Sequence, residues 1–190
     1  MRKQNAHSVT PIIRSFAPIC DRNARALVLG SMPGAASLRA GQYYAHPANA
    51  FWKIVGETTG IAPDAPYAQR TRALRRAGIA LWDVLAACRR SGSLDAGIDK
   101  STIVANDFPG LFARCPRLSH VFFNGALAQS AFMRHVHPLL QEQSLIYLRL
   151  PSTSPANAGC SFAQKREAWS ALARAVCAQP AGKPAANARQ

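Results

Sequence analysis

Several kinds of segment are missing from this 190-residue sequence. It has no run of about 18 apolar residues, so no transmembrane helix is predicted. Residues 1–16 lack the continuous apolar core of a secretory signal, and we expect a cytoplasmic protein. The five cysteines are scattered and form no CxxC pair, which argues against a zinc site or a cysteine-bound iron–sulfur cluster. Reduced, mostly buried thiols are therefore expected.

Acidic residues are also scarce. The chain has 9 Asp and Glu against 23 Lys and Arg, which gives a net charge of +14. The basic residues are spread along the chain, as in a folded basic surface, and not gathered in one tail. Such a surface favours a polyanionic partner, with nucleic acid first. The alternative is a general preference for arginine that serves no binding function.

Short apolar runs alternate with helical stretches along most of the chain. We expect one domain over residues 1–178 and a disordered tail, rich in Pro, Ala and Gly, over 179–190. Alternating strands and helices indicate a mainly parallel sheet covered on both faces. The predicted strands are Ala26–Gly30, 79–82, 120–123 and 145–150. The predicted helices are 50–60, 68–77, 126–136 and 162–176, with a loop and helix over 101–115.

Polar side chains follow each predicted strand where it ends. The first strand runs into the turn 30–34 (GSMPG), the second ends at Trp82-Asp83, the third at Asn124-Gly125, and the fourth runs into the loop 151–157. The carboxyl ends of parallel strands share one edge, where open α/β sheets bind ligands. The sequence therefore predicts a site there for a planar, neutral ligand that forms hydrogen bonds.

Three features near this edge each have a functional and a structural interpretation. The turn 30–34 lacks the GxGxxG and P-loop patterns, and it is either a backbone N–H site for an oxygen or an ordinary Gly-Pro turn. Tyr43 and Tyr44 are either a stacking platform for a base or core packing. Asn49 is either a group that contacts water or base, or the N-cap of the next helix.

The loop 151–157 has two prolines and three hydroxyl side chains. Its restricted backbone and its hydroxyl groups suit contact with a DNA backbone or insertion into a duplex. The alternative is a Ser/Thr turn that caps the last helix.

Taken in order, these motifs resemble the uracil-DNA glycosylase superfamily. Within it, the chain is most similar to the hypoxanthine-DNA glycosylase branch, also called DNA-deoxyinosine glycosylase or family 6. The resemblance covers about residues 26–176 and includes the turn 30–34, the stretch 42–52, the segments 82–85 and 90–95, Asn124-Gly125 and the loop 151–157. It implies a three-layer α/β/α sandwich with a central four-stranded parallel sheet, and an enzyme that flips a damaged base out of DNA.

The resemblance also implies roles for particular residues. Met32 stands where mismatch-type relatives carry a water-positioning Asn, and the catalytic Asn of the hypoxanthine branch carries over to Asn49. Tyr44 takes the place of the ring that stacks on the flipped base, which requires Tyr44 and Asn49 to lie on opposite sides of one slot. The wedge that enters the duplex carries over to the loop residues Pro151, Ser152, Thr153, Ser154, Pro155 and Asn157.

Neither key motif supplies a carboxylate as a general base. The expected mechanism therefore stabilises the departing base, through the backbone N–H groups of Ser31 and Met32, and places water with Asn49. Asn124 is a candidate to read a base edge. We expect no metal or other cofactor, and a monomer that acts on double-stranded DNA containing a deaminated base. The alternatives are a uracil- or xanthine-excising relative, and a DNA-binding relative without catalytic activity.

Overall fold

The computed structural model describes residues 10–140 and 144–177. The tail predicted at 179–190 lies outside the described residues, as does the start of the predicted domain. The strands are β1 (Ile12–Arg14), β2 (Ala26–Gly30), β3 (Ile79–Asp83), β4 (Leu85–Arg90), β5 (Ile98–Ala105), β6 (His120–Asn124) and β7 (Ile146–Leu150). The α-helices are α1 (Ala35–Ala40), α2 (Phe51–Thr59), α3 (Tyr67–Arg76), α4 (Phe108–Arg114), α5 (Ala126–His135) and α6 (Phe162–Cys177).

The four predicted strands form one parallel sheet in the order β3-β2-β6-β7. Every residue of β2 and β3 is buried, so both faces of these strands are covered, as their continuous apolar sequences predict. The register places Gly30 beside Asp83 and Asn124 beside Leu150. The ends of all four strands therefore meet at one edge of the sheet.

Helices flank this sheet in two groups. In one, Phe51 of α2 packs edge-on against Trp169 of α6, with ring centroids 5.9 Å apart. In the other, Phe108 of α4 packs against Phe132 of α5 at 5.2 Å, and Phe132 contacts Phe123 of β6. All five rings are almost fully buried. The predicted α/β class with a central four-stranded parallel sheet is confirmed.

A second, antiparallel sheet was not predicted. Its strand order is β1-β4-β5, and the chain enters it directly from β3 through Val84. The prediction of loop and helix at 101–115 is wrong for residues 101–105, which belong to β5, and right for α4. β4 (LAACRR) lacks the polar–apolar alternation that marks a strand in the sequence. Its conformation is determined by its pairing with β1 and β5 and not by its local sequence.

The second sheet supports the end of β3. Ser15 follows β1, and its hydroxyl donates to Oδ2 of Asp83 at 2.7 Å. Asn106 follows β5, and its Nδ2 donates to the backbone carbonyl of Asp83 at 2.8 Å. Asp83 is therefore held by both outer strands of the small sheet. Within residues 10–140 and 144–177, no helix has the length and apolar character needed to cross a membrane.

Candidate active site

A cavity of about 780 Å³ opens at the edge where β2, β3, β6 and β7 end. Its volume lies within the range of about 300–1,000 Å³ typical of small-ligand sites. The predicted site residues that line it are Ser31, Met32, Tyr44, Asn124, Pro151, Ser152, Thr153, Ser154 and Asn157. Asn49 and Pro155 are not part of the lining. Two carboxylates, the buried Asp83 and the more exposed Asp95, also line it, and no site role was predicted for either.

Tyr44 is held in a strained position in this cavity. It has φ = 53°, a conformation that costs a non-glycine residue on the order of 1 kcal/mol or more. Its ring stacks on Phe51 with centroids 4.0 Å apart. The adjacent Tyr43 is anchored, since its carbonyl accepts from Trp52 Nε1 at 2.9 Å and its N–H donates to the Tyr67 hydroxyl at 3.0 Å. These anchors fix the direction in which the Tyr44 ring projects.

The Tyr44 hydroxyl is buried, and no described residue meets hydrogen-bond geometry with it. Burial raises its pKa, and the nearby charge of Asp83 raises it further, while the Asn124 amide has a smaller opposite effect. Tyr44 is therefore neutral at physiological pH. Its donor and acceptor capacity is not used by any described residue.

Gly30 makes room for this polar cluster. A Cβ at residue 30 would overlap Asp83 Oδ1 and lie 3.0 Å from the Tyr44 hydroxyl oxygen. The two polar groups therefore converge on the face of Gly30 where any other residue would carry its side chain. Only glycine at the end of β2 allows this approach.

Asp83 is a buried carboxyl that is 3% exposed. Burial raises its pKa to about 7, and the negative charge of Asp95 acts in the same direction. The Ser15 hydrogen bond and the positive charge of Arg90 oppose this shift. The carboxyl therefore changes its charge near neutral pH, at the floor of the cavity.

Asp95 and Arg90 hold the turn 30–34 in place. The Ser31 hydroxyl donates to Asp95 Oδ1 at 2.8 Å, and burial raises the pKa of Asp95. Arg90 Nη2 donates to the carbonyl of Pro33 at 2.7 Å, and Nε donates to the carbonyl of Gly92 at 3.1 Å. The guanidinium itself is buried, so the turn is tied to β4 and to the segment that follows it.

Asn124 is joined to the loop 151–157 by two hydrogen bonds. Its Nδ2 donates to Thr153 Oγ1 at 2.9 Å, and its Oδ1 accepts from the Thr153 N–H at 2.8 Å. Thr153 is 1% exposed, so this contact is protected from water. One N–H of the Asn124 amide remains for a ligand, and that N–H is what its predicted role in reading a base requires.

The loop 151–157 is rigid at its base and exposed at its tip. Trp169 Nε1 donates to the Pro151 carbonyl at 2.9 Å, and Lys165 Nζ donates to the Ser154 carbonyl at 3.3 Å. The tip residues Pro155 and Ala156 are exposed. An exposed tip on an anchored loop beside a cavity is what the predicted wedge needs.

Asn49 lies beside this loop and one residue before Ala50, the N-cap residue of α2, so the interpretation of Asn49 as the N-cap is wrong by one position. Its Oδ1 accepts from the Phe51 N–H at 3.0 Å, at the start of α2. The next residue, Ala50, donates its N–H to the Thr153 carbonyl at 3.0 Å. Tyr44 therefore lines the cavity, whereas Asn49 lies beyond its lining and its side-chain oxygen serves the helix. Among the residues described, no cluster of His, Cys, Asp and Glu could hold a metal ion.

We expect Asp83→Asn to stabilise the protein at pH 8 but not at pH 4. A carboxyl whose pKa is raised on folding makes the protein less stable as pH rises from about 4 to about 7, and the full penalty persists above that range. Removing the charge should increase the free energy of unfolding at pH 8 by on the order of 2–4 kcal/mol. Urea unfolding at both pH values measures this, with the exposed Asp64→Asn as the matched control. Destabilisation at pH 8 would contradict the prediction.

We expect Gly30→Ala to destabilise the protein by about 1–3 kcal/mol, because the new methyl group displaces Asp83 and Tyr44. Gly34→Ala in the same turn is the control, since a Cβ there meets no atom within 4 Å. Urea unfolding of both variants gives the comparison. Equal stability of the two variants would show that the polar cluster does not depend on Gly30.

Comparisons with known proteins agree with this geometry. The model of the uracil DNA glycosylase superfamily matches residues 17–173. A protein from Methanosarcina acetivorans named hypoxanthine DNA glycosylase is 38% identical over 165 residues, which are 86% of this chain and 99% of that protein. A protein of the same name from Methanosarcina barkeri is 36% identical over 82% of this chain and 94% of its own length.

A solved structure is similar over the same region. It is the solution NMR structure of a Methanosarcina acetivorans protein solved as a candidate uracil DNA glycosylase. It superposes with a TM-score of 0.73 and 37% identity, and the match covers 88% of this chain and all of that one. Sequence, fold and the position of the cavity lead to one conclusion: the chain belongs to the uracil DNA glycosylase superfamily.

Proposed function

We propose that the protein is a monofunctional DNA glycosylase that excises a deaminated base, with hypoxanthine as its main substrate. The observation that carries this proposal is the cavity, which joins a stacked tyrosine, buried polar groups and a protruding loop at one edge of the sheet. The relatives named hypoxanthine DNA glycosylase support the choice of base.

A base reaches this cavity only after it has left the duplex. Flipping costs a few kcal/mol, and it costs least where the base is damaged or mispaired, as deoxyinosine is. The exposed tip of the loop 151–157 fills the space that the base leaves, and the Tyr44 ring stacks on the base. The edge of hypoxanthine presents a carbonyl oxygen, which complements the amide N–H that Asn124 does not use for Thr153.

The reaction breaks the bond between the sugar C1′ and the base nitrogen, through a transition state with oxocarbenium character. The electron pair leaves with the base, and a water oxygen then bonds to C1′. Backbone N–H groups of Ser31 and Met32 face the negative charge that develops on the base. Asn49 would place the water through its Nδ2, because its Oδ1 is engaged with Phe51.

DNA supplies the negative charge that the protein surface complements. The net charge is +14, and Lys53 and Lys165 line a smaller cavity of about 320 Å³ that shares Thr153 with the main cavity. Two ammonium groups beside the wedge loop suit a phosphate flanking the flipped nucleotide. We propose that the enzyme acts as a monomer, without a metal or another cofactor.

Duplexes carrying a single inosine, uracil or xanthine test this function. We expect strand breaks after alkaline treatment in the inosine duplex, and fewer in the other two. More strand breaks in the uracil or xanthine duplex would support the glycosylase activity and contradict the choice of hypoxanthine as the main substrate. Binding to all three duplexes without any strand break would leave a DNA-binding protein without catalytic activity.

We expect Asn49→Ala to slow base release by 10- to 1,000-fold, equivalent to about 1–4 kcal/mol of transition-state stabilisation. Loss of the hydrogen bond from Phe51 to Asn49 Oδ1 alone costs about 1 kcal/mol of stability, so the assay needs a variant that keeps an acceptor. Asn49→Ser retains a side-chain oxygen and removes the amide. If single-turnover release by Asn49→Ser equals that of the wild type, Asn49 serves only the helix.

A further inference from the structure

Asp83 has features of a functional group that the proposed mechanism does not use. It lines the cavity at the end of β3, although 97% of its surface is buried. Among the described residues, the only side chain that hydrogen bonds to its carboxyl is Ser15, which binds Oδ2. Oδ1 lies over Gly30 in the same region as the Tyr44 hydroxyl. One carboxyl oxygen is therefore available at the floor of the cavity.

A carboxyl kept only for stability would have more partners. Buried carboxylates that stabilise a fold are paired with cations and accept several hydrogen bonds, because an isolated buried charge is costly. The guanidinium of Arg90 is nearby, but its Nη2 and Nε bind the Pro33 and Gly92 carbonyls, and its Nη1 makes no hydrogen bond to Asp83 or to any other described residue. Asp83 therefore fits a group that is kept protonated for use in the cavity.

We propose that Asp83 is the general acid of the base-release step, which deepens the function proposed above and depends on it. As the bond between C1′ and the base nitrogen breaks, its electron pair stays with the purine. The carboxyl O–H of Asp83 donates its proton to another ring nitrogen, so that hypoxanthine leaves as a neutral molecule. Water adds to C1′, and the proton that it releases returns to the Asp83 carboxylate. The cycle consumes one water and leaves Asp83 protonated again.

The surroundings of Asp83 suit a general acid better than a general base. Burial and the negative charge of Asp95 favour the protonated carboxyl, whereas Ser15 and Arg90 favour the charged one. The remaining titratable neighbours are neutral at pH 7, since burial raises the pKa of each: Tyr43, Tyr44 and Tyr67. These opposing influences leave a carboxyl with a pKa near the working pH, which is where a general acid is most effective.

The Tyr44 hydroxyl gives the acid a neutral neighbour. Because both groups crowd the same face of Gly30, a base that stacks on Tyr44 also comes close to Asp83.

The pH dependence of single-turnover base release tests this proposal. We compare the wild type with three variants between pH 5.5 and 9: Asp83→Asn, Ser15→Ala and Asp64→Asn. The wild-type rate should fall tenfold per pH unit above about pH 7, as the acid loses its proton. Asp83→Asn should be slower by about 100-fold or more at pH 6, with no such fall. Asp64→Asn, an exposed carboxyl outside the cavity, should behave as the wild type.

Ser15→Ala distinguishes a catalytic role of Asp83 from a structural one. The Ser15 hydroxyl lowers the pKa of Asp83, so removing it should move the falling limb of the pH profile to higher pH, whatever rate is lost because the carboxyl is held less firmly. If Asp83→Asn does not fold, the shift in Ser15→Ala tests the proposal by itself. A pH profile whose falling limb lies at the same pH in Ser15→Ala and in the wild type overturns the proposal.

Other outcomes separate the two proposals. Release by Asp83→Asn at the wild-type rate, or a wild-type rate that rises through pH 7, overturns the acid role and leaves the glycosylase function intact. A wild type that releases no base from inosine, uracil or xanthine duplexes overturns both.

Discussion

The burial of the Asp83 carboxyl beneath the turn 30–34 is the constraint on which the rest of the site depends. The carboxyl fits because residue 30 has no side chain. It stays in place because, from the small sheet, Ser15 binds the carboxyl and Asn106 binds the backbone carbonyl of Asp83. That sheet, which lies outside the parallel core, thus positions a group inside the cavity. Hydrogen bonds over long sequence separations, and not the adjoining sequence, establish the site.

The sequence was sufficient to predict the parallel sheet and the edge at which the cavity lies. The strands β2 and β6 are short, continuously apolar and followed by polar residues, and such runs indicate buried parallel strands. The rule that ligands bind at the carboxyl ends of parallel strands then located the cavity. Most of the loop residues predicted to contact DNA line the cavity, because the loop follows directly from the end of β7.

The remaining features depend on contacts that no local pattern reveals. β4 forms through pairing with β1 and β5, and β5 through pairing with β4, and neither has a strong strand signal of its own. The depth of Asp83 depends on Gly30 and Ser15, which are distant from it in sequence. The engagement of Asn124 with Thr153 requires β6 and the loop after β7 to be adjacent. The single signal for Asp83 was its place at the end of a predicted strand.

The left-handed backbone of Tyr44 limits how this position can evolve. Asparagine or glycine would relax the backbone, and neither offers an aromatic ring to a base. A substitution that relaxes the backbone at position 44 therefore removes the aromatic ring, and a sequence that keeps the ring also keeps the strain. At this position, selection for stability and selection for base binding favour different residues.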